Sequence, residues 1–338
     1  MLHRFFSTLL SFPAFVLYLS FISCAFSDPL LSSYAATQIK FWSENVHNKM
    51  PLAISTKLSP LNKRDSSYYA KTISENNFKA DTKFCAVAEL ACSIGIGEVK
   101  TVKEAYATVK TYNNKKVVVP LRNMDPFSFF RLPILKEGNT IHLSNLKESL
   151  PHRAFLPPQI ASKISLTPKG VTKIFPESSK DAIETTLSYC NAAAIKGEFK
   201  ACPKSLEEII SFSKASLGKK KLLALTSEST RGSGEQLMIK KIKQFNVEKI
   251  VACHEMFLPF ATYFCHSLTS SRIYSVDFVK PDSNVPVNTV LAICHMDTSP
   301  WPANHVAFQI LKFGPGQGEA CHWLNEIDLA WIDGGETI

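Results

Sequence analysis

The chain has 338 residues, of which 45% are hydrophobic and 20% are charged. This composition excludes a disordered chain and a polytopic membrane protein, and the length allows one large domain or two smaller ones. The formal net charge of +9 at pH 7 suits a partner or surface that carries negative charge.

The N-terminal residues form a pattern typical of a secretory signal peptide. His3 and Arg4 precede an apolar segment that ends near Cys24, and small residues follow it. Pro13 interrupts this segment and no basic stop-transfer flank follows, so we predict a cleaved signal over residues 1–27 rather than a membrane anchor. We therefore expect a secreted chain. No membrane or nucleic acid is expected as a partner, whereas an acidic polysaccharide fits the basic charge.

The chain divides by pattern into a variable N-terminal arm with a pre-domain segment, residues 28–125, and a C-terminal domain, residues 126–338. The arm is polar, and we predict an extended conformation with one helix near Tyr68–Asn76. A weak helix followed by a strand is predicted within residues 100–122. A connector rich in Pro and Ser is predicted over residues 151–175.

Within the C-terminal domain the hydrophobic period changes from helical to two. Residues 178–216 predict two helices, the second capped by Ser205 with Glu208 three residues later. From residue 236 the period of two predicts strands over 248–256, 261–268, 272–279, 288–296, 305–312, 319–324 and 328–332. We therefore predict an α+β fold: an antiparallel, β-rich domain, sandwich or barrel-like, with helical segments and the extended arm.

Eight cysteines remain once Cys24 is removed with the signal peptide. An even number in an exported chain favours complete pairing in an oxidising compartment. Cys85 with Cys92, and Cys190 with Cys202, are close in sequence and are expected to form disulfides. The other four are Cys253, Cys265, Cys294 and Cys321.

Each of those four cysteines is followed directly by a histidine: His254, His266, His295 and His322. Intervals of 10, 27 and 25 residues separate the four pairs. Adjacent residues of a strand point to opposite faces, so each pair sends a thiol to one side and an imidazole to the other. Four such strands would gather the sulfurs on one face as two disulfides and the imidazoles on the other as a metal site.

Four imidazoles suit copper, zinc or nickel, and copper(II) accepts a tetragonal set of nitrogens. Two other interpretations stay open. The histidines can be satisfied polar residues beside structural disulfides, or the cysteines and histidines can together bind zinc. The second alternative normally uses spacings such as Cys-x2-Cys, which are absent here.

The repeated Cys-His pattern closely resembles that of the BURP-domain family of plants. The resemblance extends to Phe129-Phe130 at the expected domain start, Phe155-Leu156-Pro157, and Thr298-Ser299-Pro300-Trp301 followed by His305-Val306-Ala307-Phe308. Upstream, Phe41-Trp42 and the block from Phe84 to Cys92 are similar to the pre-domain region of seed and polygalacturonase β-subunit-like members.

This resemblance implies that the secreted chain lies in the apoplast or cell wall, or in a storage vacuole, where pectin or another acidic wall polysaccharide fits its basic charge. It also implies three kinds of function. One is a noncatalytic protein of cell wall, seed, stress response or development, and another is a partner subunit of a wall-modifying enzyme. The third is a copper-dependent peptide cyclase that crosslinks its own N-terminal segment, in which the four histidines would hold copper. The substrate segment would then run from Gln38 to Trp42. Asp297 and His305 are the candidates for orienting a ligand imidazole from outside the ligand set.

Overall fold

The computed structural model describes residues 34–93, 110–112, 115–117, 125–147, 150–227 and 232–335. The predicted signal peptide and most of the weak helix predicted within residues 100–122 lie outside the described residues. In the described part of the chain, no helix combines the length and the apolar character needed to cross a membrane.

The N-terminal segment is helical, with α1 (Ala35–Asn45), α2 (Leu52–Ser55), α3 (Lys63–Ser74) and α4 (Thr82–Val87). Asn62 and Asp81 cap α3 and α4 by accepting hydrogen bonds from backbone N–H groups. The helix near Tyr68–Asn76 was expected, but the segment as a whole is not the extended arm that its polar composition predicts. The physical reason is that its few apolar side chains, among them Trp42 and Phe84, are buried in core clusters shared with later residues.

Short elements occupy the middle of the chain. They are β1 (Lys110–Tyr112), β2 (Lys115–Val117), β3 (Phe129–Phe130), a 3-10 turn (Leu132–Ile134), β4 (Thr140–His142), α5 (Pro158–Ala161), α6 (Pro168–Ile174), α7 (Lys180–Cys190), β5 (Lys200–Ala201) and α8 (Leu206–Leu217). The predicted cap of α8 is confirmed, since Ser205 Oγ accepts from Glu208 N at 3.2 Å. The helix ends at Gly218, whose φ of 66° is a left-handed conformation that glycine adopts without strain.

The C-terminal part is rich in strands. They are β6 (Leu222–Leu225), β7 (Gln236–Phe245), β8 (Ile250–Glu255), β9 (Tyr263–Leu268), β10 (Ser271–Val279), β11 (Pro286–His295), β12 (Ala320–Trp323) and β13 (Leu329–Asp333), with α9 (Val306–Leu311) between β11 and β12. Six of the seven predicted strands are thereby confirmed. The strand predicted over residues 305–312 is wrong, because those residues form α9. Its first turn is capped by the His305 side chain, which accepts from Ala307 N.

Two antiparallel sheets build the domain. The five-stranded sheet has the order β5-β9-β8-β13-β6, and the six-stranded sheet has the order β3-β12-β11-β10-β7-β4. One core cluster contains Ile250 and Leu268 from the first sheet together with Ile273 and Ile293 from the second. The sheets therefore face each other across this cluster, and the predicted α+β fold with an antiparallel, β-rich C-terminal domain is confirmed.

Each sheet also has an outer core. On the five-stranded sheet, Cys253 and Trp331 pack with Trp42 of α1 and Ile209 of α8. On the six-stranded sheet, the outer cluster includes the residues Phe130, Leu143, Tyr274, Cys294 and Trp323. The alternation of side chains along β8 and β11 thus sends the cysteines outward and their neighbouring histidines toward the space between the sheets.

Candidate metal centre

The four Cys-His pairs lie on two antiparallel strand pairs, one in each sheet. In β8–β9, Cys253 is directly opposite Cys265. In β11–β12, Cys294 is directly opposite Cys321. Both opposed pairs are disulfides, with Cα–Cα distances of 4.0 and 3.9 Å. The predicted disulfides of the other four cysteines, Cys85–Cys92 and Cys190–Cys202, are also present.

The placement of the sulfurs corrects one expectation. We predicted that all four would share one face, but the two disulfides lie in separate outer cores, on the outward faces of different sheets. The reason is that β8–β9 and β11–β12 belong to different sheets, which turn their inner faces toward each other. The cysteines are separated by this arrangement, and the histidines are brought together by it.

The four imidazoles line one cavity of about 580 Å³. The ring centroids of His254 and His266 are 5.6 Å apart, and those of His254 and His322 are 6.2 Å apart. His295 and His322 are closer, with their rings stacked and their Nε2 atoms 3.3 Å apart. The structure therefore groups the four predicted residues, two from each sheet.

The β8–β9 imidazoles are each held by a carboxylate. His254 Nδ1 lies 3.2 Å from Asp328 Oδ2, and His266 Nδ1 lies 2.8 Å from Glu198 Oε1. An ionised carboxylate only accepts hydrogen bonds, so in both pairs Nδ1 carries the hydrogen and donates it. The other ring nitrogen, Nε2, is then left with a lone pair.

The β11–β12 imidazoles are held by uncharged groups. His322 Nδ1 lies 3.1 Å from the backbone oxygen of Trp323, which can only accept. His295 Nδ1 lies 3.4 Å from Ser271 Oγ, a hydroxyl that can donate to this nitrogen or accept from it and that also lies 3.3 Å from Thr269 O. Nδ1 is therefore the protonated nitrogen of His322, as it is in the β8–β9 pair, whereas the Ser271 hydroxyl does not fix the tautomer of His295.

Burial favours the neutral form of three of these rings, His266, His295 and His322. It lowers the pKa of His322 from 6.5 to about 4, and the neighbouring His254 and His266 lower it further. Burial also lowers the pKa of His266 and, well below the usual value, that of His295. Neutral imidazole with a free lone pair is the form of histidine that binds metal ions.

The spacing of the imidazole nitrogens decides whether these residues fit a metal ion. The Nε2 atoms of His295 and His322 lie 3.3 Å apart, within reach of an N–H···N hydrogen bond when one ring carries its hydrogen on Nε2. Two imidazole nitrogens bound to one ion at about 2.0–2.1 Å are separated by about 2.9 Å as neighbours in a tetragonal set and by about 3.3 Å in a tetrahedral one. Within residues 34–335, as far as they are described, no group of three or more His, Cys, Asp or Glu side chains stands arranged to hold a metal ion. The pair His295–His322 thus fits a shared ion, and the other two rings surround it.

Asp297 and His305 line the same cavity, but their hydrogen bonds go elsewhere. The exposed Asp297 carboxylate accepts from the backbone and hydroxyl of Ser299. The Nδ1 atom of His305 accepts from Ala307 N at 3.2 Å, and burial together with His322 lowers the pKa of His305 to about 4. Neither residue contacts the Nδ1 atom of a ligand candidate.

The groups that do hold the imidazoles were not found from the sequence. Asp328 and Ser271 are single polar residues on strands or beside them. The partner of His322 is the backbone oxygen of Trp323, and a backbone oxygen cannot be recognised from the residue type. Glu198 lies in the loop closed by the Cys190–Cys202 disulfide. Glu198 is 68 residues from His266 in the sequence. Its position between the two cysteines of a predicted disulfide was its only distinguishing feature in the sequence.

The segment predicted as a cyclisation substrate lies away from the cavity. Gln38 and Trp42 are buried residues of α1. The Trp42 indole donates to Asn48 O at 2.8 Å and packs against Trp331 with centroids 5.6 Å apart. Trp331 and Cys253 share its core cluster, so Trp42 lies on the cysteine face of the five-stranded sheet, opposite the histidine face.

Comparison with known families agrees with the motif. The sequence model of the BURP domain matches residues 128–333. This chain belongs to the BURP family. A relative that matches nearly end to end is BURP domain-containing protein 16 of Oryza sativa subsp. japonica, 31% identical over 324 residues and covered to 90% in both chains. The BURP assignment and plant relatives predicted from the Cys-His pattern are thus confirmed.

Other relatives are longer BURP proteins. Polygalacturonase-1 non-catalytic subunit beta of Solanum lycopersicum is 37% identical over 248 residues, which are 67% of this chain and 39% of the relative. Polygalacturonase 1 beta-like protein 1 of Arabidopsis thaliana is 38% identical over 218 residues, 62% of this chain and 35% of the relative. The chain therefore spans well under half the length of these relatives.

Proposed function

We propose that this chain is a secreted, noncatalytic BURP protein of the plant cell wall that holds a copper ion on His254, His266, His295 and His322. The relatives named as non-catalytic subunits support the noncatalytic role. The predicted signal peptide supports export, and the four disulfides suit an oxidising compartment.

One observation carries the metal site: every candidate imidazole has its Nδ1 atom engaged by a hydrogen-bond partner outside the ligand set. Such outer partners orient a ligand ring and raise its basicity. Three rings already carry their hydrogen on Nδ1, and His295 can do so by donating to Ser271 Oγ, so four Nε2 lone pairs would face a bound cation. A copper ion bound there would supply Lewis acidity and one-electron redox chemistry.

Metal analysis of the secreted full-length protein tests this proposal. We expect about one copper ion per chain after copper(II) loading and dialysis, with nitrogen hyperfine structure in the electron paramagnetic resonance spectrum. The double variant His295→Ala/His322→Ala should lose the ion, since these rings hold the closest pair of Nε2 atoms.

A matched control removes a histidine outside the cavity. His152 is exposed and pairs with Glu89, so His152→Ala should keep the full copper content. Equal copper in the control and in the double variant would show that the ion is not held by the proposed site.

The same proposal includes wall contact through charge. The net charge of +9 suits pectin, and the relatives named as polygalacturonase subunits suggest an enzyme partner of that type. Binding to polygalacturonate should weaken as salt rises from low to moderate concentration, because exposed charges are screened. Binding that does not respond to salt contradicts an electrostatic contact, and co-sedimentation with a polygalacturonase tests the partner.

The alternative of self-cyclisation at Trp42 receives no support from the placement of that residue. Its side chain is only 3% exposed and lies on the cysteine face of the sheet. After incubation with copper(II), we expect the peptide that contains Trp42 to keep its unmodified mass. A loss of two hydrogens on that peptide would restore the cyclase alternative.

A further inference from the structure

His305 differs in its tautomer from three of the ligand candidates. Its Nδ1 atom accepts from the backbone N–H of Ala307, so Nδ1 has no hydrogen and the neutral ring carries its hydrogen on Nε2. His254, His266 and His322 carry theirs on Nδ1, which faces an acceptor in each case. His305 therefore offers the cavity an N–H through Nε2, which these three rings do not.

The His305 ring is held on several sides. Its centroid is 4.2 Å from that of Trp301, 6.0 Å from that of Phe129 and 5.9 Å from that of Phe308. Trp301 in turn contacts the ring of His295, with centroids 4.9 Å apart. The helix cap fixes one edge of the His305 ring and these aromatic rings fix its plane, so its orientation in the cavity is set in advance.

No partner of His305 Nε2 is found among the residues that the structure describes, and the ring lines the same cavity as the four imidazoles. The geometry points to a ligand-binding role: we propose that His305 Nε2–H donates a hydrogen bond to a carboxylate oxygen of a ligand seated beside the four histidines. The part of this inference in which the ligand also contacts the metal rests on the proposed function.

The residues that line the cavity limit the chemical class of ligand that it can bind. The charged side chains around the cavity are two lysines and two acids, Lys196, Lys200, Glu198 and Asp297, so their charges balance. Recognition of an anion would then fall on the His305 N–H and on a metal ion, if the four histidines hold one. A carboxylate has one oxygen for each of them, and the rings of Phe129, Phe264 and Trp301 accommodate its carbon body. The source is a free organic acid or a uronic-acid unit of pectin.

Two substitutions at His305 test its Nε2–H donor and its capping of α9 separately. His305→Asn places an amide oxygen where Nδ1 accepts, so it keeps the cap of α9, but it has no N–H at the position of Nε2. His305→Gln reaches further and restores an N–H near that position, while it loses the cap. Acetate is titrated into copper-loaded full-length protein and followed by the visible absorption of the copper ion.

We expect wild type and His305→Gln to bind acetate with similar affinity and His305→Asn to bind about tenfold more weakly, the usual loss for a hydrogen bond to a charged group. Copper content should be equal in all three proteins. Equal acetate affinity in wild type and His305→Asn overturns the inference. Loss of copper in His305→Asn also overturns it, because His305 would then be a metal ligand.

A second measurement does not need the metal. Nitrogen-15 NMR of the copper-free protein should show hydrogen on Nε2 of His305 and on Nδ1 of His254, His266 and His322. The opposite tautomer at His305 overturns the inference. If wild type binds no copper, the proposed metal site fails, yet an acetate-induced shift of the His305 Nε2–H signal still supports the donor role, and no shift rejects it. Repeating the titration with galacturonate separates a wall uronate from a free organic acid.

Discussion

The two Cys-His strand pairs are alike on their outer faces and different on their inner faces. β8–β9 and β11–β12 each close a disulfide between directly opposed cysteines. On the inner face, carboxylates hold the imidazoles of β8–β9. A hydroxyl and a backbone oxygen hold those of β11–β12. The same dipeptide on the same kind of strand thus produces two kinds of imidazole.

The Cys-His dipeptide therefore sets the direction in which each side chain points. Residues from other elements supply the hydrogen-bond partner of each imidazole and so set its strength as a ligand. Asp328 precedes β13, Glu198 lies in the loop before β5 and Ser271 begins β10. A carboxylate partner makes an imidazole a stronger electron donor than a neutral partner does. We infer that the β8–β9 half of the site is the stronger half.

The acidic residues next to the two strand pairs also differ in how deeply their ion pairs are buried. Glu255 ends β8 and is buried with Lys57 and Arg153, each with an N–O distance of 2.6 Å. Glu319 precedes β12 and pairs with the partly exposed Arg131 at 3.1 Å. Buried and exposed ion pairs respond very differently to the loss of one partner, so these two provide a direct comparison.

The largest expected effect is the loss of the buried pair. Burial raises the pKa of Glu255, but Arg153 and Lys57 outweigh it and the net pKa is lowered, so the carboxylate is ionised. Glu255→Gln leaves two buried cations without a charge partner and should reduce the free energy of unfolding by about 3–5 kcal/mol. Denaturant unfolding measures this, with Glu319→Gln as the control, for which we expect at most about 1 kcal/mol. Similar losses of unfolding free energy in both variants would show that burial does not decide how much each ion pair stabilises the protein.

The second effect concerns the disulfides. Cys294–Cys321 closes 27 residues and Cys253–Cys265 closes 12. Replacing both cysteines by alanine should cost about 4 kcal/mol for the longer loop and about 3 kcal/mol for the shorter one, because a longer loop restricts the unfolded chain more. Thermal and denaturant unfolding of the two double variants, both without metal, measure the difference. A larger loss for the β8–β9 disulfide contradicts the loop-length argument.

The smallest effect distinguishes the two halves of the metal site. Glu198→Gln removes the charge behind His266 and should weaken copper binding by about 10–100-fold, the usual cost of losing such a partner. Ser271→Ala removes the neutral partner of His295 and should weaken it by less than about tenfold. Competition titrations against a chelator measure both. An equal loss in the two variants would mean that the two halves of the site do not differ in strength.

Several features of this fold were predictable because local patterns determine them. The period of two located six strands, and the Ser205 cap located α8. Where local signals were ambiguous, tertiary contacts decided. Residues 305–312 alternate as a strand does, yet the His305 cap begins a helix there. The polar N-terminal segment folds into helices because Trp42 and Phe84 find buried positions against the domain.

The sequence by itself determined that four cysteines and four histidines separate onto opposite faces, because neighbouring residues of a strand must point apart. It also identified the BURP family and the pairing of the cysteines that are close along the chain. Only the tertiary structure decided that the two disulfides lie on different sheets while the imidazoles meet between them, and that His305 carries its hydrogen on the other nitrogen. These properties depend on strand order, on facing sheets and on partners distant in the chain, and none of these is encoded in the spacing of one motif.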